Sequence, residues 1–165
     1  MTNMASGTNV TGIRIYNGSL TNAHLVNWSG GQGILALDKA RVSNTTIQMV
    51  SGAGVGVQLS GDNVRFGPGN YVNSNFNGGP MLGFAINKII DIFGNRFEAL
   101  AGGGGNQYVA QGVVTATGRI TIHENDWTKN AGAAAGSGLF SLSGSANKNM
   151  LFYNNDGILA MFGSA

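Results

Sequence analysis

At 165 residues and 17.0 kDa the chain has the length of one domain and can bury a core. Only 10% of its residues are charged, and nine basic against seven acidic side chains leave +2, too thin a margin to argue for nucleic acid. A hydrophobic share of 42% excludes a charge-driven disordered tail, while the lack of cysteine excludes disulfides, thiolate zinc and a cysteine nucleophile.

Residues 1–8 hold neither a basic segment nor an apolar stretch, so they read as an N-terminal arm without a secretion signal. From residue 9 a repeat sets in. Apolar-x-apolar triplets begin at Ile13, Ala40, Val64, Ile90, Ile120 and Met150, with Ile15, Val42, Phe66, Ile92, Ile122 and Phe152 closing them. The residue between is mostly polar, which is the signature of a strand with one buried face. A second strand signal lies in 33–37, 54–59, 81–86, 112–116 and 138–142. The repeat step is too short for a strand, a packed helix and their loops. Glycine, 28 residues of it, costs about 1 kcal/mol each inside a helix and suits turns instead.

The expected architecture is therefore all-β: a short, single-stranded, right-handed parallel β-helix of about six coils over 9–157. Counting five positions from each triplet start gives Gly18, Thr45, Gly69, Asn95, Asn125 and Asn155. The asparagines should stack at a turn and bond through their amides. Seven positions on come Leu20, Ile47, Tyr71, Phe97, Trp127 and Gly157, a core corner that ends where glycine appears. Residues 158–165 form an apolar tail or cap. Its Ile158, Leu159, Met161 and Phe162 are the expected assembly contacts, since an exposed uncharged segment invites a partner.

Apolar triplets, an asparagine-bearing turn and a further apolar residue, repeated coil after coil, resemble the right-handed β-helices of the pectate-lyase and phage-tailspike type. The resemblance covers residues 9 to 157. It implies the fold and a place in a phage particle, but this chain departs from the enzymes of those families. They use calcium with several acidic ligands, or paired carboxylates in a groove. Here the nearest equivalent is Asp126 and Asp156, one coil apart in the column six positions after each start. Two carboxylates at ~5 Å suit a retaining glycosidase. The alternative is an Arg96–Asp126 pair beside a solvated Asp156, and that reading is preferred. No Gly-x-Ser-x-Gly elbow occurs, and His123-Glu124-Asn125-Asp126 lacks the second histidine of a zinc-protease helix.

Two other columns suggest contact surfaces. Arg14, Arg41 and Arg65 stand one residue after the first three starts, followed by Asp91. Stacked arginines repel unless they meet phosphate, an anionic sugar or an acidic partner. Tyr16, Phe93, His123 and Tyr153 share a column that can face outward, and Trp28 is a further aromatic candidate. The expectation is a non-enzymatic structural protein of a virion, assembled in the host cytoplasm: a trimeric capsid decoration or cement subunit attached to larger capsid or tail proteins. The alternatives are a tailspike-like receptor or glycan-binding module contacting host polysaccharide, and, behind it, a polysaccharide hydrolase or lyase. No cofactor, metal, nucleic acid or membrane span is expected.

Overall fold

A computed structural model describes residues 11–28, 31–49, 54–74, 81–84, 88–100, 110–113, 118–130, 139–143, 150–157 and 159–162. The N-terminal arm and Ile158 lie outside these residues. Three parallel sheets account for the described strands, and no helix occurs among them. Sheet A holds β1 (Thr11–Ile15), β4 (Gln32–Ala36), β7 (Val55–Leu59), β10 (Leu82–Phe84), β13 (Ala110–Val113), β16 (Leu139–Ser143) and β18 (Leu159–Phe162). Sheet B holds β2 (Ser19–Thr21), β5 (Arg41–Ser43), β8 (Val64–Phe66), β11 (Ile89–Phe93), β14 (Arg119–His123) and β17 (Met150–Tyr153). Sheet C holds β3 (His24–Trp28), β6 (Thr46–Met49), β9 (Tyr71–Ser74), β12 (Arg96–Ala99) and β15 (Asp126–Lys129).

The chain visits A, B and C in turn from β1 to β15, and each strand pairs with its counterpart one circuit later. The period-two pattern decides which side chains go inward. In β11, Ile90 and Ile92 are buried while Asp91 and Phe93 face away from them. Val42, Phe66, Ile92 and Ile122 stack on the inner side of sheet B, and the inner residues of all three sheets join one core cluster. Each large side chain sealed there stabilises the fold by about 1.5–3 kcal/mol.

The turn between sheets B and C carries the asparagine ladder. Asn70 donates from Nδ2 to Asn95 Oδ1, Asn95 to Asn125, and Asn125 to Asn155, each at 2.9 Å. The second amide proton reaches back to the previous circuit: Asn70 to the Val42 carbonyl, Asn95 to Phe66, Asn125 to Ile92, and Asn155 to Ile122. A chain of buried amides thus satisfies itself along the stack.

Register corrects three sequence expectations. Ile13 and Ile15 oppose Ile34 and Ala36 in sheet A, so the first triplet belongs to a different sheet from the other five. The true first member of the sheet B column is Leu20, opposite Val42. In the third circuit the ladder residue is Asn70 rather than Gly69, and the core residue is Val72 rather than Tyr71. One additional residue is absorbed at Gly67-Pro68-Gly69, where Gly67 and Gly69 adopt φ of 132° and 77°. A side chain at Gly67 would collide with the Phe93 carbonyl oxygen. Within the apolar tail, Leu159–Phe162 is β18, pairing in parallel with β16 as a further strand of sheet A.

Candidate functional site: the outer face of sheet B

Because Val42, Phe66, Ile92 and Ile122 point into the core, their neighbours along each strand must point out. Ser19, Arg41, Arg65, Asp91, Thr121 and Leu151 follow one another in register along one outward column. Alongside, Phe93 opposes His123, and His123 opposes Tyr153. Their rings stack nearly parallel, with centroids 5.4 Å apart at 9° and 4.9 Å apart at 12°.

Asp91 ties the two columns together. Its Oδ2 lies 3.5 Å from Arg65 Nε and its Oδ1 lies 3.2 Å from His123 Nε2. The Arg65 guanidinium also sits 4.9 Å from the centre of the Phe93 ring, a cation–π distance. Arg41, by contrast, is exposed and has no acidic group within 4.0 Å among the described residues. At the other end of the face Tyr153 and Leu151 are 45% and 54% exposed. Open hollows run along the face, and two of them border the rings. One, of about 340 Å³, lies between Asp91, Arg119, Thr121, His123 and Tyr153. The other, of about 230 Å³, lies between Ser19, Arg41, Ser43, Arg65, Pro68 and Phe93.

The remaining candidates fall elsewhere. Arg14 opposes Leu35 in sheet A, so it is not stacked on Arg41. Tyr16, 67% exposed, follows β1 and stands outside the ring stack. The mistaken first triplet carried both residues into the wrong columns. Trp28 ends β3 in sheet C, opposite Met49 after a register shift. Leu159, Met161 and Phe162 belong to β18. Asp126 and Asp156 are bridged neighbours, as the spacing suggested, and both are exposed. Arg96 does not pair with Asp126 but approaches Glu98 at 3.5 Å.

That last contact belongs to a cluster the sequence did not reveal. On the outer side of sheet C the Tyr71 hydroxyl donates to the Glu98 carboxylate, and the Arg96 guanidinium lies 5.4 Å from the Tyr71 ring centre. Glu98 is only 9% exposed. Burial, reinforced by Glu98, raises the Tyr71 hydroxyl above its ordinary value of 10.0. A tyrosine held in its neutral form serves here as a fixed donor. The only sequence signal was the alternation Arg96-Phe97-Glu98 facing Tyr71-Val72-Asn73, and that becomes visible only with the Asn70 register.

The outward positions of sheet A read Arg14, Leu35, Gln58 and Gly83 in register, with no carboxylate. No cluster of three or more histidine, aspartate or glutamate side chains suited to a metal occurs among the described residues. No helix among them is long and apolar enough to cross a membrane. No protein-family model, curated protein or solved structure matches the chain.

Proposed function

We propose that the chain is a short right-handed parallel β-helix of the pectate-lyase and tailspike type, serving a phage particle as a non-enzymatic, glycan-binding module. The cyclic visit to three parallel sheets and the asparagine ladder support the fold reading. The observation that carries the function is the outward stack of Phe93, His123 and Tyr153 beside Arg41 and Arg65. Within the stack His123 lies between Phe93 and Tyr153, and Arg65 covers Phe93. The end ring, Tyr153, is therefore the one whose face is left to accept the C–H face of a sugar, while guanidinium and hydroxyl groups beside the ring edges bond its oxygens. Open hollows along a stiff sheet suit an extended polymer better than a small substrate. Asp126 and Asp156 argue less well for hydrolysis: a general acid needs a carboxyl shielded from water, and both are exposed.

Calorimetric titration with surface polysaccharide from the host tests this reading. Saturable binding that weakens about tenfold in Tyr153→Ala is expected, the loss of roughly one good ring contact. Failure of the wild-type protein to bind any such glycan would overturn it. A second reading, the trimeric capsid decoration subunit, draws on Ile89 and Leu151, apolar side chains exposed on the same face. Light scattering on the wild type and on Leu151→Asp separates the two: under the decoration reading the mass is near three chains and falls in the variant, whereas under the glycan reading the substitution leaves the mass unchanged.

A further inference from the structure

We infer that the hollow between Arg41, Arg65 and Phe93 is a phosphate site, so that the glycan held on sheet B is a phosphate-substituted one. The inference rests on the glycan reading above. Arg41 and Arg65 are direct partners on the adjacent strands β5 and β8, which places two like charges opposite each other. Part of the Arg65 charge is already met by Asp91 at 3.5 Å, and Asp91 is shared with His123. Nothing among the described residues meets Arg41, and Lys39, also exposed, stands two residues before it. The hollow therefore carries positive charge that the fold leaves unbalanced.

The donor set narrows the ligand. Ser19 adds a hydroxyl to the two guanidinium forks, and Pro68 and the Phe93 ring edge form an apolar wall. Ser43, which donates to Thr21 Oγ1 at 3.4 Å, keeps its lone pairs on the rim. One arginine fork saturates a planar carboxylate in bidentate fashion. Two forks on neighbouring strands, about 4.8 Å apart, match a tetrahedral group with three acceptor oxygens and a charge near −1.5 to −2. The apolar wall and the ring stack continuing from Phe93 through His123 to Tyr153 leave the bearer of that phosphate lying along the aromatic column. Inorganic phosphate offers the same oxyanion but nothing for the rings.

The test titrates the full chain with an oligomannoside bearing 6-phosphate, with the same oligomannoside after phosphatase treatment, and with inorganic phosphate. The phosphorylated oligosaccharide should bind at least tenfold tighter than either of the others, and its affinity should fall steeply with salt. Arg41→Ala should abolish that preference, bringing the phosphorylated and dephosphorylated oligosaccharides to equal affinity. Its urea midpoint should match wild type, because the Arg41 side chain is exposed. Equal affinity for the two oligosaccharides, or a preference that survives Arg41→Ala, would overturn the phosphate site and leave the glycan reading standing. Inorganic phosphate binding as tightly as the phosphorylated oligosaccharide would overturn the glycan-borne assignment in favour of the free ion. Binding of neither oligosaccharide, alongside failure with host polysaccharide, would remove both readings.

Discussion

Replacing Asn95 by alanine should remove the centre of the ladder that holds successive circuits together. The side chain is 2% exposed and takes part in three amide bonds at 2.9 Å: it accepts from Asn70 and donates to Asn125 and to the Phe66 carbonyl. Each such bond contributes about 1 kcal/mol net, and an acceptor orphaned without water costs a further ~1 kcal/mol. The expected loss is about 3–4 kcal/mol, a large part of the 5–15 kcal/mol that holds a typical domain. Asn155→Ala is the matched control. Asn155 makes the same kinds of bond but is partly exposed, so water replaces what is lost and the cost should be ~1 kcal/mol. Asn95→Asp separates bonding from volume, because an oxygen then faces both Asn125 Oδ1 and the Phe66 carbonyl. It should destabilise as much as alanine at neutral pH. Urea unfolding followed by far-ultraviolet circular dichroism reads all three. If Asn95→Ala costs no more than Asn155→Ala, the ladder is not what joins the circuits and the reasoning is wrong.

Gly61→Ala should be among the most damaging single-methyl changes: a Cβ there collides with the Leu37 carbonyl carbon and the Asp38 nitrogen, both backbone atoms that cannot swing aside. A loss on the order of 3 kcal/mol or more is expected in urea unfolding, against less than about 0.5 kcal/mol for Gly18→Ala, whose nearest neighbour lies 3.6 Å away. Tyr71 gives a pH signature. Burial and Glu98 raise its pKa above 10.0, so the folded state keeps a proton that the unfolded state releases. Its contribution is thus complete below pH 10 and falls away as pH rises through the folded-state value. Thermal melts from about pH 9 to about pH 11 should show an alkaline limb that is shallower in Tyr71→Phe; an identical limb would detach that pH dependence from Tyr71.

Much of the fold was legible because a strand buried on one face writes itself as alternation, and alternation survives in five of six triplets. Ile90-Asp91-Ile92 and Ile120-Thr121-Ile122 announce both the strand and its inward side, and the structure pairs them residue for residue. Asparagine at the turn was legible for a similar reason: Asn95, Asn125 and Asn155 stand at one offset, and a buried amide must find its partner along the stack. The pattern could not show which sheet a triplet joins. Ile13-Arg14-Ile15 is as good a strand as Ile90-Asp91-Ile92, yet it pairs with β4, because both sheets present the same apolar inner face to one core. Nor could a fixed offset reveal the additional residue at Gly67-Pro68-Gly69. A corner can lengthen without moving the strands on either side, so the spacing changes while the register does not.

These small slips matter more for the site than for the fold. A surface built by stacking takes each neighbour from about one circuit away, so a column shifted by one sheet replaces every contact while leaving the class of fold intact. Moving Arg14 and Tyr16 out of the columns leaves a shorter cationic row, Arg41 and Arg65, joined to a ring stack of three. The join is Asp91, and its placement orders the face electrostatically. By accepting from both Arg65 and His123 it offsets the Arg65 charge next to the rings and leaves Arg41 and Arg119 without an acidic partner among the described residues. A ligand lying along sheet B would therefore meet guanidinium groups near both ends, Arg41 on β5 and Arg119 on β14, with the rings of β11, β14 and β17 beside the second.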